Sequence, residues 1–209
     1  MSTLTDFHAL EAEVFIETGT GQCETLKHAA QQYPTCHSIE QDVSLYREAV
    51  RRFRQLKHVS IHHGLSQNVL PAIIDPMRST TFWLDAHQCG REGWPGVTTK
   101  PADGPECPLI EELQIIAAID WKTPPVICID DAFLFLDEAW TDGRHENLHQ
   151  DRWPTLAEVK AALPTHDFTA RDHHVLIGRA RPAAARTTAP GLLRPAPPAR
   201  SVPDPSTDE

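Results

Sequence analysis

Residues 13–21 read Glu13-Val14-Phe15-Ile16-Glu17-Thr18-Gly19-Thr20-Gly21: a short apolar run, an acid at its end, then two glycines. An apolar run of that length bounded by glycine is the pattern of a buried strand. Cys23 to Gln32 follows with a helical pattern, so the glycines open a helix. Glycine lets backbone approach a ligand closely, and an acid beside it can take a ribose hydroxyl or an amino group. Alone, this turn is equally well an ordinary strand-to-helix connection. The next strand, His37 to Glu40, ends in Ser38-Ile39-Glu40 nineteen residues after Gly21, where an acid can hydrogen-bond both hydroxyls of a ribose. Together the two strand ends have the spacing of a nucleotide site, although the turn lacks the third glycine of G-x-G-x-x-G.

Outward from this pair, strand-like and helix-like patterns alternate through residue 180 without an internal repeat, which demands an α/β fold with a parallel sheet. Val43 to Leu56 places Leu45, Tyr46, Ala49, Val50, Phe53 and Leu56 at spacings of three and four, an amphipathic helix that covers a sheet. Val59 to His62, Thr81 to Leu84 and Val126 to Ile129 are strands, and Leu109 to Ile119 is a helix. Leu156 to Leu163 is a further helix, followed by Asp167 to Arg171 and His174 to Arg179 as two strands joined by the Asp172-His173 turn. A closing hairpin requires an antiparallel strand. Ala86 to Cys107 and Asp137 to Trp153 are long irregular connections, of the length that usually carries function.

The chain has 209 residues, 40% of them hydrophobic, which is enough for one domain with a real core. Its formal charge of -10, from 19 Lys+Arg against 29 Asp+Glu, argues against a phosphate-backbone binder, so nucleic acid is not an expected partner. No run approaches the roughly 20 apolar residues needed to span a bilayer, and the first residues lack a secretory leader pattern. A cytoplasmic protein with no membrane partner is expected. The cysteines are Cys23, Cys36, Cys89, Cys107 and Cys128, an odd set without a C-x-x-C pair, so reduced structural thiols are expected. The domain is expected to span 1–180. Residues 181–209 hold seven of the 18 prolines and are expected to form a disordered tail, with partner docking as its one functional alternative.

At this point the chain resembles the class I S-adenosylmethionine-dependent methyltransferases over about residues 12–180. The resemblance rests on the turn after Glu17, on Glu40, on Phe82-Trp83-Leu84-Asp85-Ala86-His87 and on Ile127-Cys128-Ile129-Asp130-Asp131. It implies a Rossmann-like, seven-stranded, mostly parallel sheet with helices on both faces and an antiparallel last strand. It also implies that Glu17, Thr18, Gly19 and Gly21 border the methionine part of S-adenosylmethionine, that Glu40 binds the ribose, and that Ser66 and Asp85 complete the cofactor contacts. Members often carry an acid or amide at the adenine, in the loop after the third strand; here Gly64-Leu65-Ser66 has Leu65.

Asp85, Asp130 and Asp131 stand at the ends of neighbouring strands, and carboxylates this close are tolerated when a hard cation is shared between them. The trio resembles the magnesium site of metal-dependent small-molecule O-methyltransferases, where Mg²⁺ would lower the pKa of a bound hydroxyl and orient it. The competing reading makes Asp130 and Asp131 a helix N-cap. His87, two residues beyond Asp85, is the candidate base, with Asp85 as its catalytic companion. Glu111 and Glu112 fall in a first helical turn, where capping is the default; the resemblance brings this turn near the site, and one Glu reaching the metal's water shell is the alternative. His62, His63, His173 and His174 are taken as structural, and His145, Glu146, His149 and Asp151 as a solvated or substrate-facing loop. Trp94 and Trp140 are candidates to wall a planar substrate, while Trp83 belongs to the core. The expected activity is methyl transfer to a hydroxyl of a small-molecule acceptor of secondary metabolism, with self-association as a homo-oligomer left open. The alternatives are a metal-independent or nitrogen-directed enzyme of the same fold, or a non-catalytic cofactor-binding scaffold working through the tail.

Overall fold

A computed structural model of the chain describes residues 12–87, 106–135, 153–171 and 174–182. The expectations for Cys89, Trp94, Trp140, His145, Glu146, His149, Asp151, the Asp172-His173 turn and residues 183–209 lie outside the described residues.

Seven strands form one sheet: β1 (Val14–Thr18), β2 (Thr35–Glu40), β3 (Val59–His63), β4 (Thr80–Leu84), β5 (Val126–Asp130), β6 (His166–Arg171) and β7 (Val175–Ala180), in the order β3-β2-β1-β4-β5-β7-β6. β7 runs antiparallel to both its neighbours, β5 and β6, and the remaining pairs are parallel. The Rossmann-like, mostly parallel sheet with one antiparallel last strand is therefore the observed fold. β1 and β4 are buried along their whole length, as strands covered on both faces must be.

Helices α1 (Glu24–Ala29) and α2 (Val43–Phe53) cover one face, where Leu26, Ala29, Ala49 and Phe53 pack with Phe15, Trp83 and Cys128. Helices α3 (Ser66–Ile73), α4 (Leu109–Ala117) and α5 (Leu156–Ala162) cover the other, where Leu70, Leu113, Ile116 and Val159 meet Val14, Ile16, Phe82 and Leu84. The alternation along β1 thus sends Phe15 and Glu17 toward α1–α2, and Val14, Ile16 and Thr18 toward α3–α4. Strand order reverses between β1 and β4, and the crevice at such a reversal, beyond the carboxyl ends, is where open α/β sheets take ligands.

Three details differ from the expectations. Helix α3 is absent from the sequence reading because Pro71 interrupts its pattern; it forms nonetheless, with Leu70 fully buried in the core. The buried stripe of α2 is narrower than its periodicity suggests, for only Ala49 and Phe53 are buried while Val50 and Leu56 are each 40% exposed. That helix lies over the edge strand β3 and its neighbour β2 and has little sheet to cover. At the far end, Arg181, placed in the tail by composition, is tied to the domain by its N–H to the Thr165 carbonyl and by its guanidinium to Asp167 at 2.7 Å. Among the described residues no helix is long and apolar enough to cross a membrane.

Candidate functional site

The turn after β1 packs closely against the end of β4. Gly19 has φ +79°, and a Cβ there would lie 2.2 Å from the Asp85 carbonyl oxygen, so no other residue fits. The Asp85 N–H donates to the Thr18 carbonyl at 3.0 Å, locking the two strand ends together. Gly21, φ +48°, is different: among the described residues a Cβ there would meet nothing within 4 Å, so the space beside it is open. Cys23, which precedes α1, also takes a left-handed conformation, φ 67°, although it is not glycine. Its thiol is buried and pushed up to about 11, mainly by desolvation, which keeps it protonated and inert.

Glu40 closes this turn from the neighbouring strand. Its Oε2 accepts from Gly21 N–H at 2.9 Å and its Oε1 from Asp42 N–H at 2.8 Å. Each oxygen retains a lone pair for a further donor. Burial raises the Glu40 carboxyl above its ordinary range, against the pull of the backbone N–H groups. Glu17 lies inside rather than on the surface of the turn: it is 1% exposed, and Ser38 Oγ donates to its Oε2. Ser38 has spent its one proton on Glu17, so Thr20 Oγ1 donates to Ser38 across 2.6 Å. Glu17 therefore positions the turn through Ser38 and Thr20.

Beyond β4, His87 is buried, with its side chain 4% exposed, and lies between two aspartates. Its Nδ1 is 3.4 Å from Asp85 Oδ1 and its Nε2 is 3.2 Å from Asp131 Oδ2. The rings of Phe135 and Trp153 pack edge-on against it at 6.5 and 5.4 Å between centroids. Asp131 stands at φ 49° before the 3-10 turn Ala132–Leu134 and makes no side-chain cap. The Asp130 carboxyl is turned back on its neighbour, accepting from Asp131 N–H at 2.9 Å. The helix-cap reading of this pair is thus not what the structure shows. Neither is the shared cation: His87 occupies the space between Asp85 and Asp131, and among the described residues no three His, Cys, Asp or Glu side chains form a group able to hold a metal ion. Asp85, Asp130 and Asp131 do not fit Mg²⁺ in this arrangement.

Glu112, read from sequence as a helix-capping acid, is turned inward to 1% exposure, while Glu111 beside it faces solvent. The signal for this was its place in the apolar row Leu109, Glu112, Leu113, Ile116, which puts it on the buried face of α4. Ser66, at the start of α3, is buried beside it. His62 and His63 serve the structure: His62 pairs with His37 across 3.0 Å and His63 with the Gln41 carbonyl.

The crevice thus gathers carboxyls that prefer to stay protonated. Desolvation is the first cause in each: Glu17 is pushed up to about 8, Glu112 to about 7 and Asp130 to about 6, and Asp85 rises well above the usual range with help from Asp130 and Asp131. A raised folded-state carboxyl holds its proton where the unfolded chain has lost it, so its contribution is complete below the unfolded value and declines through the folded one. The ligand-free protein is therefore expected to melt at a falling temperature as pH rises from about 5 to about 8, with Glu17→Gln flattening the upper part of that fall. A melting temperature that climbs across this range would contradict the buried, protonated state of these groups.

No protein-family model matches this sequence, and no curated protein sequence does. Solved structures do share the fold. The S-adenosylhomocysteine-bound Podospora anserina methyltransferase PaMTH1 superposes with a TM-score of 0.55 at 14% identity, over 82% of this chain and 73% of that one. Streptomyces venezuelae DesVI gives 0.53 at 13% identity, over 82% and 85%. Human N-acetylserotonin methyltransferase, solved with S-adenosylmethionine, gives 0.53 at 13%, over 85% of this chain but 50% of its own. At such identities the likeness establishes the fold.

Proposed function

We propose that the chain transfers the methyl group of S-adenosylmethionine to a hydroxyl oxygen of a small molecule, with His87 as general base, Asp85 as the group that orients it, and no metal ion. One juxtaposition carries this reading: a glycine turn with open space at Gly21 and an acid at Glu40 lies beside a histidine held between two aspartates. The fold similarity to methyltransferases supports it.

The bound cofactor would supply a methyl group on a sulfonium, transferred by in-line displacement at carbon. The chain's part is to align and to move one proton. Glu40 receives the ribose hydroxyls on its free lone pairs, and Gly19 and Gly21 give the backbone curvature and the open space for the amino-acid end. In this reading Asp85, 3.4 Å from Nδ1, takes Nδ1–H, and the acceptor's hydroxyl displaces Asp131 Oδ2 from its 3.2 Å contact with Nε2, which then takes the proton. The acceptor approaches on the side of Asp131, whose side chain is 40% exposed, whereas Phe135 and Trp153 shield the rest of the ring from water. Magnesium assistance by Asp85, Asp130 and Asp131 would need the place that His87 fills.

The test is transfer of labelled methyl from S-adenosylmethionine to a panel of phenols, alcohols and amines, with and without excess chelator. Transfer to a hydroxyl, unchanged by chelator, is expected. Loss in chelator with recovery on adding Mg²⁺ would restore the metal-assisted reading, transfer confined to amines would redirect the enzyme to nitrogen, and absence of S-adenosylhomocysteine binding by calorimetry would end the proposal.

A further inference from the structure

Glu112 is a buried acid that this chemistry leaves unused. A capping acid in a first helical turn belongs in water, as Glu111 does, yet Glu112 is 1% exposed. The Ser66 and Thr18 hydroxyls lie beside its carboxyl and pull its pKa down against burial, and its Oε1 has no hydrogen-bond partner among the described residues. A buried acceptor without a donor is costly, because it has given up its water and gained nothing in return. A fold that keeps such an atom at the edge of its ligand crevice has a donor for it in the bound state.

The two faces of the sheet identify the donor. Glu17, Ser38 and Glu40 with the Gly21 turn lie toward α1–α2, whereas Thr18, Ser66 and Glu112 lie toward α3–α4, across the crevice between β1 and β4. A nucleoside held at Glu40 by its ribose, with its amino-acid chain over Gly19 to Gly21, has only the α3–α4 side left for its base. There the loop after β3 offers Leu65, which has no side-chain acceptor, next to Ser66 and Glu112.

We propose that Glu112 Oε1 accepts a hydrogen bond from the exocyclic amino group of the cofactor's adenine, so that α4 supplies the base recognition that the loop after β3 lacks. This rests on the S-adenosylmethionine reading above. The amino group carries two donors and a carboxylate only acceptors, so the pair matches, while a base with a carbonyl at that position would face Glu112 acceptor to acceptor. Glutamine has the same shape and can turn its amide N–H₂ toward such a carbonyl.

The experiment is calorimetry on the full chain at pH 8 with S-adenosylhomocysteine and with S-inosylhomocysteine, which differs in carrying the carbonyl. The native protein is expected to prefer the adenosine compound by about ten-fold or more, the worth of one hydrogen bond to a charged group. Glu112→Gln is expected to weaken the adenosine compound and strengthen the inosine one, a crossed change that a merely structural acid would not produce. Equal binding of both compounds by the native protein overturns the proposal without recourse to a variant. So does an equal loss of both in Glu112→Gln. If neither compound binds the native protein, the methyltransferase reading falls and takes this one with it; if both bind alike, only the Glu112 assignment falls.

Discussion

Replacing His87 by alanine is expected to lower methyl transfer by about 10²–10⁴-fold, the range of a positioned general base, while S-adenosylhomocysteine affinity stays within a few-fold of native. The geometry sets this expectation. The imidazole is buried against Phe135 and Trp153 and faces an acidic side chain on each nitrogen, an arrangement that fixes its plane. Among the described residues its ring meets the side chains of Asp85, Asp131, Phe135 and Trp153 rather than Gly19 to Gly21 or Glu40, so cofactor affinity should survive its loss. Alanine also leaves a gap beside two aromatic rings, so some loss of melting temperature accompanies the variant. Glutamine and asparagine variants, which fill the space without titrating, separate packing from proton transfer. If they melt like the native protein yet turn over as slowly as alanine, the base assignment stands. Native turnover in His87→Gln would remove His87 from the chemistry.

Much of this site was legible in the residues because backbone demands are local. The Glu17 to Gly21 turn and Glu40 announced themselves by an apolar run, two glycines and an acid at a fixed distance, and the structure joins them by the Gly21 to Glu40 hydrogen bond. Asp85 and His87 followed from the end of a strand whose five residues are all buried. What escaped was decided by long-range packing. Three aspartates at neighbouring strand ends suggest a cation on charge grounds, but which way each side chain turns depends on His87, which lies between Asp85 and Asp131, and on the left-handed Asp131, whose N–H holds the Asp130 carboxyl. Glu112 looked like a dipole-paired cap because its residue type suits that place, while its neighbours on the apolar row of α4 put it inside. Helix α3 was hidden by Pro71, tolerated because Leu70 anchors that turn in the core.

The half of the site proposed to bind the cofactor has its own decisive residue. Glu40→Ala is expected to weaken S-adenosylhomocysteine by about 100-fold or more, because two ribose hydroxyls would lose a charged acceptor worth roughly 1.5–3 kcal/mol for each hydrogen bond. The same carboxylate holds Gly21 N–H and Asp42 N–H, so the variant also leaves two backbone donors of the turn without their partner. Two effects on one residue must be told apart, and melting curves do it. A purely structural Glu40 would lower the ligand-free melting temperature and leave the rise on adding ligand unchanged. A ribose-binding Glu40 removes most of that rise, which for the native protein at 100 times the dissociation constant corresponds to about 2.7 kcal/mol. Glu40→Gln keeps the length and one acceptor oxygen, so its affinity should fall between the two. A full ligand-induced shift in Glu40→Ala would leave Glu40 as a brace of the glycine turn and send the search for the ribose contact elsewhere along the carboxyl ends of β1 and β2.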